Sequence, residues 1–256
     1  DLRLAIENRE IKVVYQPIVS AQSLRIVAYE ALARWEHSEL GPISPVEFIP
    51  LAEEIGIITN ITRFMLNQAC LDCMSWGDRI GVSVNLSAID LKNSDIARDI
   101  ANALQKSGLP ARQLEVEVTE SAIIADRNQT SLVLQRLKNA GINIALDDFG
   151  TGYSSLSYLN SLPLTKVKID RSFVQDITTD RRSLMLLRGV TQLSHELGLA
   201  VTVEGVETEE QLALVRVAAG ADLVQGYLLG KPMPGDQIKT SSAKATLIHD
   251  IGHSIA

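Results

Sequence analysis

The sequence has only two cysteines, Cys70 and Cys73, among its 256 residues. One C-x-x-C pair supplies too few ligands for a structural zinc site, which takes four. The surrounding stretch has the periodicity of a helix, so we interpret the pair as reduced thiols that face the core. Reduced thiols are typical of a reducing compartment, and we therefore expect a cytoplasmic location.

Long apolar runs and clusters of basic residues are also lacking. No uncharged apolar run approaches the roughly 20 residues that cross a bilayer, and the first residues show no signal-peptide pattern. The formal net charge of -7 argues against a duplex nucleic-acid surface, so we expect no DNA partner. A starting methionine is lacking too, and we expect residues 1–256 to be a single domain excised from a larger protein.

Short β-branched runs alternate with longer helical stretches along the chain, in which 46% of the residues are hydrophobic. The predicted strands are residues 12–19, 26–35, 80–87, 114–121, 143–149, 166–170, 200–207 and 222–229. The predicted helices, which have apolar residues at i, i+3 and i+4, are residues 45–76, 94–107, 127–140, 181–197 and 208–219. The expected N-caps are Ser44, Asp180 and Thr208. The expected helix ends are Gly141, Gly198 and Gly220.

Eight strands that alternate with helices over this length predict a TIM-type (β/α)8 barrel. An open, doubly wound sheet is the alternative. The first two strands are joined by residues 20–25, which are too few to hold a crossover helix. We therefore expect a hairpin there, with one strand near the N-terminus antiparallel to its neighbours.

Polar residues recur in or just after these apolar strands. They are Glu30, Asn85, Glu117, Glu120, Asp147, Asp148, Lys168, Asp170, Glu204, Glu207 and Gln225. Charges in a buried strand are unfavourable unless they are paired or bind a metal. Each alone is explained by an ion pair or a loop position. Their recurrence at strand ends, where barrel enzymes build their sites, indicates an active site.

The donor types in this set indicate a particular metal chemistry. Five are carboxylates, namely Glu30, Glu117, Asp147, Asp148 and Glu204, and Asn85 adds a neutral oxygen. Sites made only of oxygen donors favour Mg²⁺ or Mn²⁺ over zinc. So many carboxylates repel one another, and two divalent ions neutralise them better than one. A pair of ions bridged by a carboxylate is typical of phosphate-ester hydrolysis.

In this arrangement Asp147 bridges the two ions. Asp148 is its direct neighbour in a strand, so it reaches the second ion only if the chain bends sharply. We expect the segment Phe149-Gly150-Thr151-Gly152 to provide that bend.

Two cations accompany the carboxylates, and each has two interpretations. Lys168 either forms a salt bridge to its acidic neighbours or orients or deprotonates the attacking water, with a pKa lowered by metals and burial. Arg34 is either a surface charge or a bidentate partner for a phosphate oxygen.

A series of motifs in this chain resembles the EAL domain, which takes its name from Glu30-Ala31-Leu32. The other motifs are Tyr15-Gln16-Pro17, GPISPVEFIPLAEEIGII, Val84-Asn85-Leu86-Ser87, Glu117-Val118-Thr119-Glu120, DDFGTGYSSLSYL, Lys168-Ile169-Asp170-Arg171-Ser172-Phe173, Glu204-Gly205-Val206-Glu207 and Gln225-Gly226-Tyr227. The resemblance runs from about Tyr15 to Pro234. The departures from the family pattern are Ala33, where leucine is common, and Val203, where alanine is common.

The resemblance implies a TIM-like barrel and a bacterial phosphodiesterase that opens cyclic di-GMP to linear pGpG. It implies two Mg²⁺ or Mn²⁺ ions. One would be held by Glu30, Asn85, Glu117 and Asp147. The other would be held by Asp147, Asp148 and Glu204.

The resemblance also implies roles for the remaining polar residues. Lys168 would contact the attacking water, and Asp170 would lie near the substrate and the metals. Glu120 and Glu207 would brace the loop that carries the two aspartates. The dinucleotide would be contacted by Gln16, Leu32, Arg34 and Gln225.

Partners follow from the same resemblance. They are a second copy of the chain, bound through residues 148–159, and an N-terminal GGDEF, PAS or receiver domain in the full-length protein. The sequence leaves open whether that parent protein is attached to a membrane. It also leaves open two other functions, a catalytically weak cyclic di-GMP receptor and an enolase-like enzyme with a lysine base.

Overall fold

A barrel of eight β-strands is formed in the computed structural model, which describes residues 1–93, 95–150 and 161–238. In chain order the strands are β1 (Ile11–Ser20), β2 (Ile26–His37), β3 (Gly41–Ile43), β4 (Gly81–Leu86), β5 (Leu114–Thr119), β6 (Asn143–Phe149), β7 (Lys166–Ile169), β8 (Ala200–Val203), β9 (Leu223–Val224) and β10 (Met233–Pro234). The ring runs β1-β2-β4-β5-β6-β7-β8-β9 and closes on β1, whereas β3 and β10 extend the sheet beside β2 and β1. The predicted TIM-like barrel is confirmed.

The predicted hairpin is also confirmed. β1 pairs with β2 in antiparallel register from Ile11 opposite Trp35 to Val19 opposite Ile26. β1 is antiparallel to β9 as well, whereas the remaining neighbours around the ring are parallel. The parallel strands therefore bring their carboxyl ends to the same end of the barrel.

Helices connect β3 to β4, β4 to β5, β5 to β6, β7 to β8 and β8 to β9. Within the described ranges they are α1 (Pro45–Glu54), α2 (Ile58–Cys73), α3 (Ala88–Lys92), α4 (Ile96–Ser107), α5 (Glu120–Ala125), α6 (Arg127–Asn139), α7 (Arg181–Glu196) and α8 (Glu209–Leu214). None of the helices in these ranges has the length and apolar character needed to span a bilayer.

Several predicted boundaries were wrong, and turn-forming residues explain most of the differences. The helix expected over 45–76 is divided into α1 and α2 around Gly56, which has a φ of +75°. The strand expected over 200–207 ends at Val203, ahead of Gly205 with a φ of +71°. The strand expected over 114–121 ends at Thr119, whose side chain caps α5. The strand expected over 222–229 is reduced to β9, and the helix expected over 208–219 changes from α8 to a π-helical turn at Val215–Ala219.

Most of the expected caps are formed. The Asp180 side chain accepts hydrogen bonds from the backbone of Arg182 and Ser183, and Thr208 forms a capping box with Gln211. Ser44 precedes α1 but makes no side-chain cap hydrogen bond. The glycines expected at helix ends have positive φ, as this kind of terminus requires: Gly141 +83°, Gly198 +75° and Gly220 +75°.

The two cysteines lie on α2 and are fully buried. Burial raises the pKa of the Cys70 and Cys73 thiols to about 12, so both stay protonated at neutral pH. They are free thiols, as the sequence predicted, and they contribute apolar volume to the core.

Tyr15 fastens the outer side of β1 to α2. Its ring is fully buried against the edge of Trp76, and its hydroxyl donates to Asp72 Oδ2 at 2.6 Å. Gly235 lies against the same pair, since a Cβ there would come within 3.0 Å of Tyr15 Cε2. The segment after β10 is therefore packed on this contact.

We expect Tyr15→Phe to lower the free energy of unfolding by roughly 2 kcal/mol, because it removes a buried hydrogen bond to a carboxylate. Urea unfolding monitored by circular dichroism measures the change. Tyr227→Phe is the matched control, since Tyr227 is 60% exposed, and it should leave the unfolding midpoint unchanged. Equal midpoints for both variants would contradict this account of Tyr15.

Candidate active site

A cavity of about 310 Å³ opens at the carboxyl ends of the barrel strands. It is lined by Gln16, Glu30, Leu32, Asp147, Asp148, Lys168, Asp170, Arg171, Glu204, Gly205, Glu207, Gln225, Gly226 and Tyr227. Most of the residues singled out from the sequence therefore meet around one space.

Lys168 lies at the centre of the acidic residues. Its Nζ is 2.6 Å from Glu117 Oε2, 2.8 Å from Glu204 Oε1, 3.1 Å from Asp147 Oδ1 and 3.5 Å from Glu30 Oε2. The lysine is 1% exposed. The structure thus contains the salt bridges that one interpretation of Lys168 predicted. They join carboxylates from β2, β5, β6 and the residue after β8.

The acidic neighbours of Lys168 change its pKa. Burial alone would lower the pKa of its ammonium, but Asp147, Glu117 and the other nearby carboxylates outweigh burial and raise the pKa well above its usual value. The expected lowering of the pKa included bound metals, so it stays a prediction for the metal-bound site. Among these carboxylates Lys168 is a cation that donates hydrogen bonds, which suits orienting a water and does not suit removing a proton from it.

Glu30 is held on both oxygens by neutral amides. Gln225 Nε2 donates to Oε2 at 2.8 Å, and Asn85 Nδ2 donates to Oε1 at 2.9 Å. Burial favours the neutral acid, yet Lys168 and these two amides keep the pKa of Glu30 below its usual value. Glu30 is therefore an ionised carboxylate whose orientation is fixed from β4 and from the end of β9.

Glu117 and Glu204 are acids whose pKa is raised in this crowded, buried cluster. Burial, followed by the negative charge of Glu30, raises the pKa of Glu117 well above its usual value. Burial raises the pKa of Glu204 to about 8 despite the nearby Lys168. Glu117 Oε1 is buried and makes no hydrogen bond within the described part of the chain. A divalent cation would supply a partner for that oxygen and would relieve the repulsion between the acids.

Asp147 and Asp148 reach the same space through a β-bulge. The pairing of β6 with β7 runs from Leu146 opposite Val167 to Phe149 opposite Ile169, so β6 contains one extra residue there. Asp148 itself has a φ of +53°, a left-handed conformation that aspartate tolerates better than most side chains. The bend thus begins at the aspartates, and it continues into the predicted segment Phe149–Gly152 at Gly150, which has a φ of +99°. Thr151 and Gly152 are outside the described residues.

The bulge completes a possible metal-binding group. Oxygen atoms of Asp147, Asp148 and Glu204 all lie within 4.8 Å of one another. Together with Glu30, Asn85 and Glu117 they form a set of oxygen donors alone, which fits Mg²⁺ or Mn²⁺. The residues present therefore fit the divalent ions that the sequence implied.

Some of the remaining predicted residues line the cavity and others do not. Asp170, Glu207, Gln16 and Leu32 line the cavity. Glu120 is buried at the first residue of α5 and is not among the lining residues. Arg34 is not among them either. It is half-buried, and its guanidinium donates to the carbonyl of Ala33 at 2.8 Å.

The structure adds cavity residues that the sequence analysis did not assign. They are Arg171, Gly205, Gly226 and Tyr227. Arg171 follows the assigned Asp170, and Gly205 follows the assigned Glu204. Gly226 and Tyr227 follow the assigned Gln225. Adjacency in the loops after β7, β8 and β9 was the signal that could have found them. The proposed dimer segment, 148–159, falls largely on residues 151–160, which are outside the described residues.

The fold and the cavity together define a class of protein, a TIM-like barrel with a carboxylate-rich site at the carboxyl ends of its strands. The comparison with protein families gives the particular member of that class. The model of the EAL domain matches residues 1–232, so this chain belongs to the EAL domain family.

Curated relatives and solved structures agree with the family. The chain is 39% identical over 247 residues to the bifunctional diguanylate cyclase/cyclic di-GMP phosphodiesterase MucR of Pseudomonas aeruginosa, which covers 95% of this chain and 36% of that protein. It is 40% identical over 238 residues to the cyclic di-GMP phosphodiesterase NbdA of the same organism, covering 91% of this chain and 30% of that protein. The chain thus spans about a third of the length of these curated relatives.

Two solved structures show the same barrel. The PaMucR phosphodiesterase in complex with c-di-GMP matches with a TM-score of 0.88 at 39% identity, covering 93% of this chain and 98% of that chain. The FimX EAL domain from Pseudomonas aeruginosa bound to c-di-GMP matches with a TM-score of 0.84 at 25% identity, covering 94% and 97%.

We expect Lys168→Met to destabilise the protein by about 3–5 kcal/mol in the presence of EDTA, because it leaves buried carboxylates without their cation. Excess Mn²⁺ should restore part of the loss. Thermal unfolding with EDTA and with Mn²⁺ measures both effects. Lys12→Met removes the same charge from a side chain that is 53% exposed and serves as the control. Wild-type stability of Lys168→Met in EDTA would contradict the central role of this ammonium.

Proposed function

We propose that this chain is a metal-dependent phosphodiesterase that hydrolyses cyclic di-GMP to linear pGpG. The observation that carries the proposal is the oxygen-donor set gathered around one cavity in a barrel of the EAL family. The set is Glu30, Asn85, Glu117, Asp147, Asp148 and Glu204. Relatives at about 40% identity are named cyclic di-GMP phosphodiesterases.

The donors divide into two groups that share Asp147. Glu30, Asn85, Glu117 and Asp147 would hold one divalent ion, and Asp147, Asp148 and Glu204 would hold the other. The short separations among Asp147, Asp148 and Glu204 support the second group. When bound, the two ions, Mg²⁺ or Mn²⁺, would activate a water for attack on phosphorus and neutralise charge on the phosphoryl oxygens.

Lys168 in this proposal orients the attacking water. Its position among four carboxylates supports this role, because it places Nζ beside the groups that would hold the ions. Asp170 and Glu207 line the same cavity and would act on the substrate side. Glu120 and Glu207 would brace the loop of Asp147 and Asp148.

Substrate recognition would use four residues that are not metal ligands. Gln16, Leu32, Arg34 and Gln225 are the proposed contacts to the dinucleotide. Gln225 supports this role because its Nε2 is used by Glu30 while its Oε1 accepts no hydrogen bond within the described part of the chain. That oxygen could accept a hydrogen bond from an N–H group of guanine. An acidic cavity repels a dianionic substrate, so the bound ions would also be needed for binding.

The chain would act as one domain, residues 1–256, of a longer bacterial signalling protein in the cytoplasm. Its relatives support this, since the chain covers only 30–36% of MucR and NbdA. The rest of the parent would supply a regulatory GGDEF, PAS or receiver domain. A homodimer formed through residues 148–159 is part of the same proposal.

We expect the purified chain to convert cyclic di-GMP to pGpG with Mg²⁺ or Mn²⁺, and we expect EDTA to abolish the conversion. Asp147→Asn should reduce turnover by at least about a hundredfold, because the residue shared by both ions loses its charge. Chromatographic separation of substrate and product measures the turnover. Asp78→Asn, an exposed residue after α2, is the control and should retain full turnover.

Two results would count against this function. Unimpaired turnover by Asp147→Asn would overturn the assignment of the metal ligands. Tight binding of cyclic di-GMP without any pGpG over hours would replace the enzyme with a receptor that uses the same cavity.

A further inference from the structure

Three glycines hold the loops around the cavity in close contact with one another. Gly150, after β6, lies against Phe173 in the turn after β7. Gly205, after β8, lies against Arg171 in that same turn. The turn Asp170–Phe173 is therefore packed between the loop that carries Asp147 and Asp148 and the loop that carries Glu204.

The contact at Gly150 leaves no room for a side chain. A Cβ at this position would lie 2.2 Å from Cε2 and 2.5 Å from Cζ of the Phe173 ring. Gly150 also has a φ of +99°, a conformation that residues with a Cβ rarely adopt. The Phe173 ring is half-buried and packs against the core, so it forms a firm surface on which the backbone of Gly150 rests.

The contact at Gly205 is equally close. A Cβ there would lie 2.2 Å from Cβ and 3.0 Å from Cα of Arg171. Just before it, the backbone N–H of Glu204 donates to the carbonyl of Ile169 at 3.0 Å. Glu204 is thus held by the end of β7 through its N–H, and the next residue rests on the turn through Arg171.

The turn itself is internally fixed. Asp170 Oδ1 accepts a hydrogen bond from the backbone of Ser172 at 2.9 Å, and Phe173 N–H donates to the carbonyl of Asp170 at 3.0 Å. A third glycine extends the packing, because a Cβ on Gly226 would lie 2.0 Å from the carbonyl oxygen of Val206. The loops after β6, β7, β8 and β9 are consequently packed in series.

We propose that the turn Asp170–Phe173 is a spacer that sets the separation of Asp148 and Glu204, with Phe173 as a positioning residue. This rests on the proposed function, in which those two carboxylates share a divalent ion. The spacer contacts one loop through Phe173 and the other through Arg171, and neither contact uses a carboxylate. Changing the contact at Gly150 should therefore alter metal affinity without removing a ligand.

The test is a double-mutant cycle read by the Mn²⁺ dissociation constant of the substrate-free protein, measured by calorimetry. Gly150→Ala should raise that constant by about tenfold or more, as expected when support of a metal ligand is lost. Phe173→Leu removes the two overlapping ring atoms and should weaken Mn²⁺ binding less. In the Phe173→Leu background, Gly150→Ala should add little further weakening.

Gly77→Ala is the matched control for backbone strain. Gly77 has a φ of +101°, close to that of Gly150, but a Cβ there would meet nothing within 4 Å. It should lower the unfolding midpoint without changing the Mn²⁺ dissociation constant. Gly77→Ala measures the effect of a Cβ at such a φ on stability, and the cycle with Phe173→Leu separates the contact with Phe173 from the effect of φ at Gly150.

The outcomes separate the spacer from the function on which it rests. Unchanged Mn²⁺ affinity in Gly150→Ala and Phe173→Leu, with normal turnover by the unaltered protein, would overturn the spacer alone. Equal weakening by Gly150→Ala in both backgrounds would also overturn it. If Gly150→Ala does not fold, the Phe173→Leu variant alone tests the spacer. An unchanged Mn²⁺ dissociation constant in that variant would then overturn the proposal. Failure of the unaltered protein to bind Mn²⁺ would overturn the proposed function and the spacer together.

Discussion

The interaction on which the site depends is the contact of one buried ammonium with four carboxylates. Lys168 Nζ lies within 3.5 Å of carboxylate oxygens that come from β2, β5, β6 and the end of β8. In a buried position such a group of acids is stable only with compensating positive charge. The lysine therefore joins four segments of the barrel and keeps their carboxylates close to one another. Its strongly raised pKa follows from the same crowding.

The barrel places these charged groups around one cavity. Parallel strands bring their carboxyl ends together, and the amides of Asn85 and Gln225 fix the orientation of Glu30. Beyond the strand ends, loops position the side chains of the site. The bulge at Asp147 and Asp148 turns two neighbouring carboxylates towards one space, and the contact of Gly150 with Phe173 supports that bulge from outside. The site thus depends on interior electrostatics and on backbone packing in the loops.

Much of this could be predicted from the sequence, for physical reasons that differ between residues. The alternation of strands and helices predicted the barrel, and the short connection of residues 20–25 predicted the hairpin, because local chain length limits topology. The strand-end pattern of Glu30, Glu117 and Lys168 predicted which residues would meet. The bulge at the aspartates could not be predicted, because it depends on pairing with β7, which the sequence of β6 does not contain. The rise in the pKa of Lys168 without metals could not be predicted, because the four carboxylates that cause it come from distant parts of the chain.

The sequence by itself determined the order of the elements, the caps at Asp180 and Thr208, and the supply of oxygen donors without histidine or cysteine. These depend on residue type and short-range spacing, which the chain carries locally. Only the tertiary structure decided the protonation of Lys168, the left-handed conformation of Asp148, and the contact between Gly150 and Phe173. Each of these results from groups that are distant along the chain and are brought together only when the barrel closes. Their energies are therefore set by packing and by the local electric field, which depend on the whole fold.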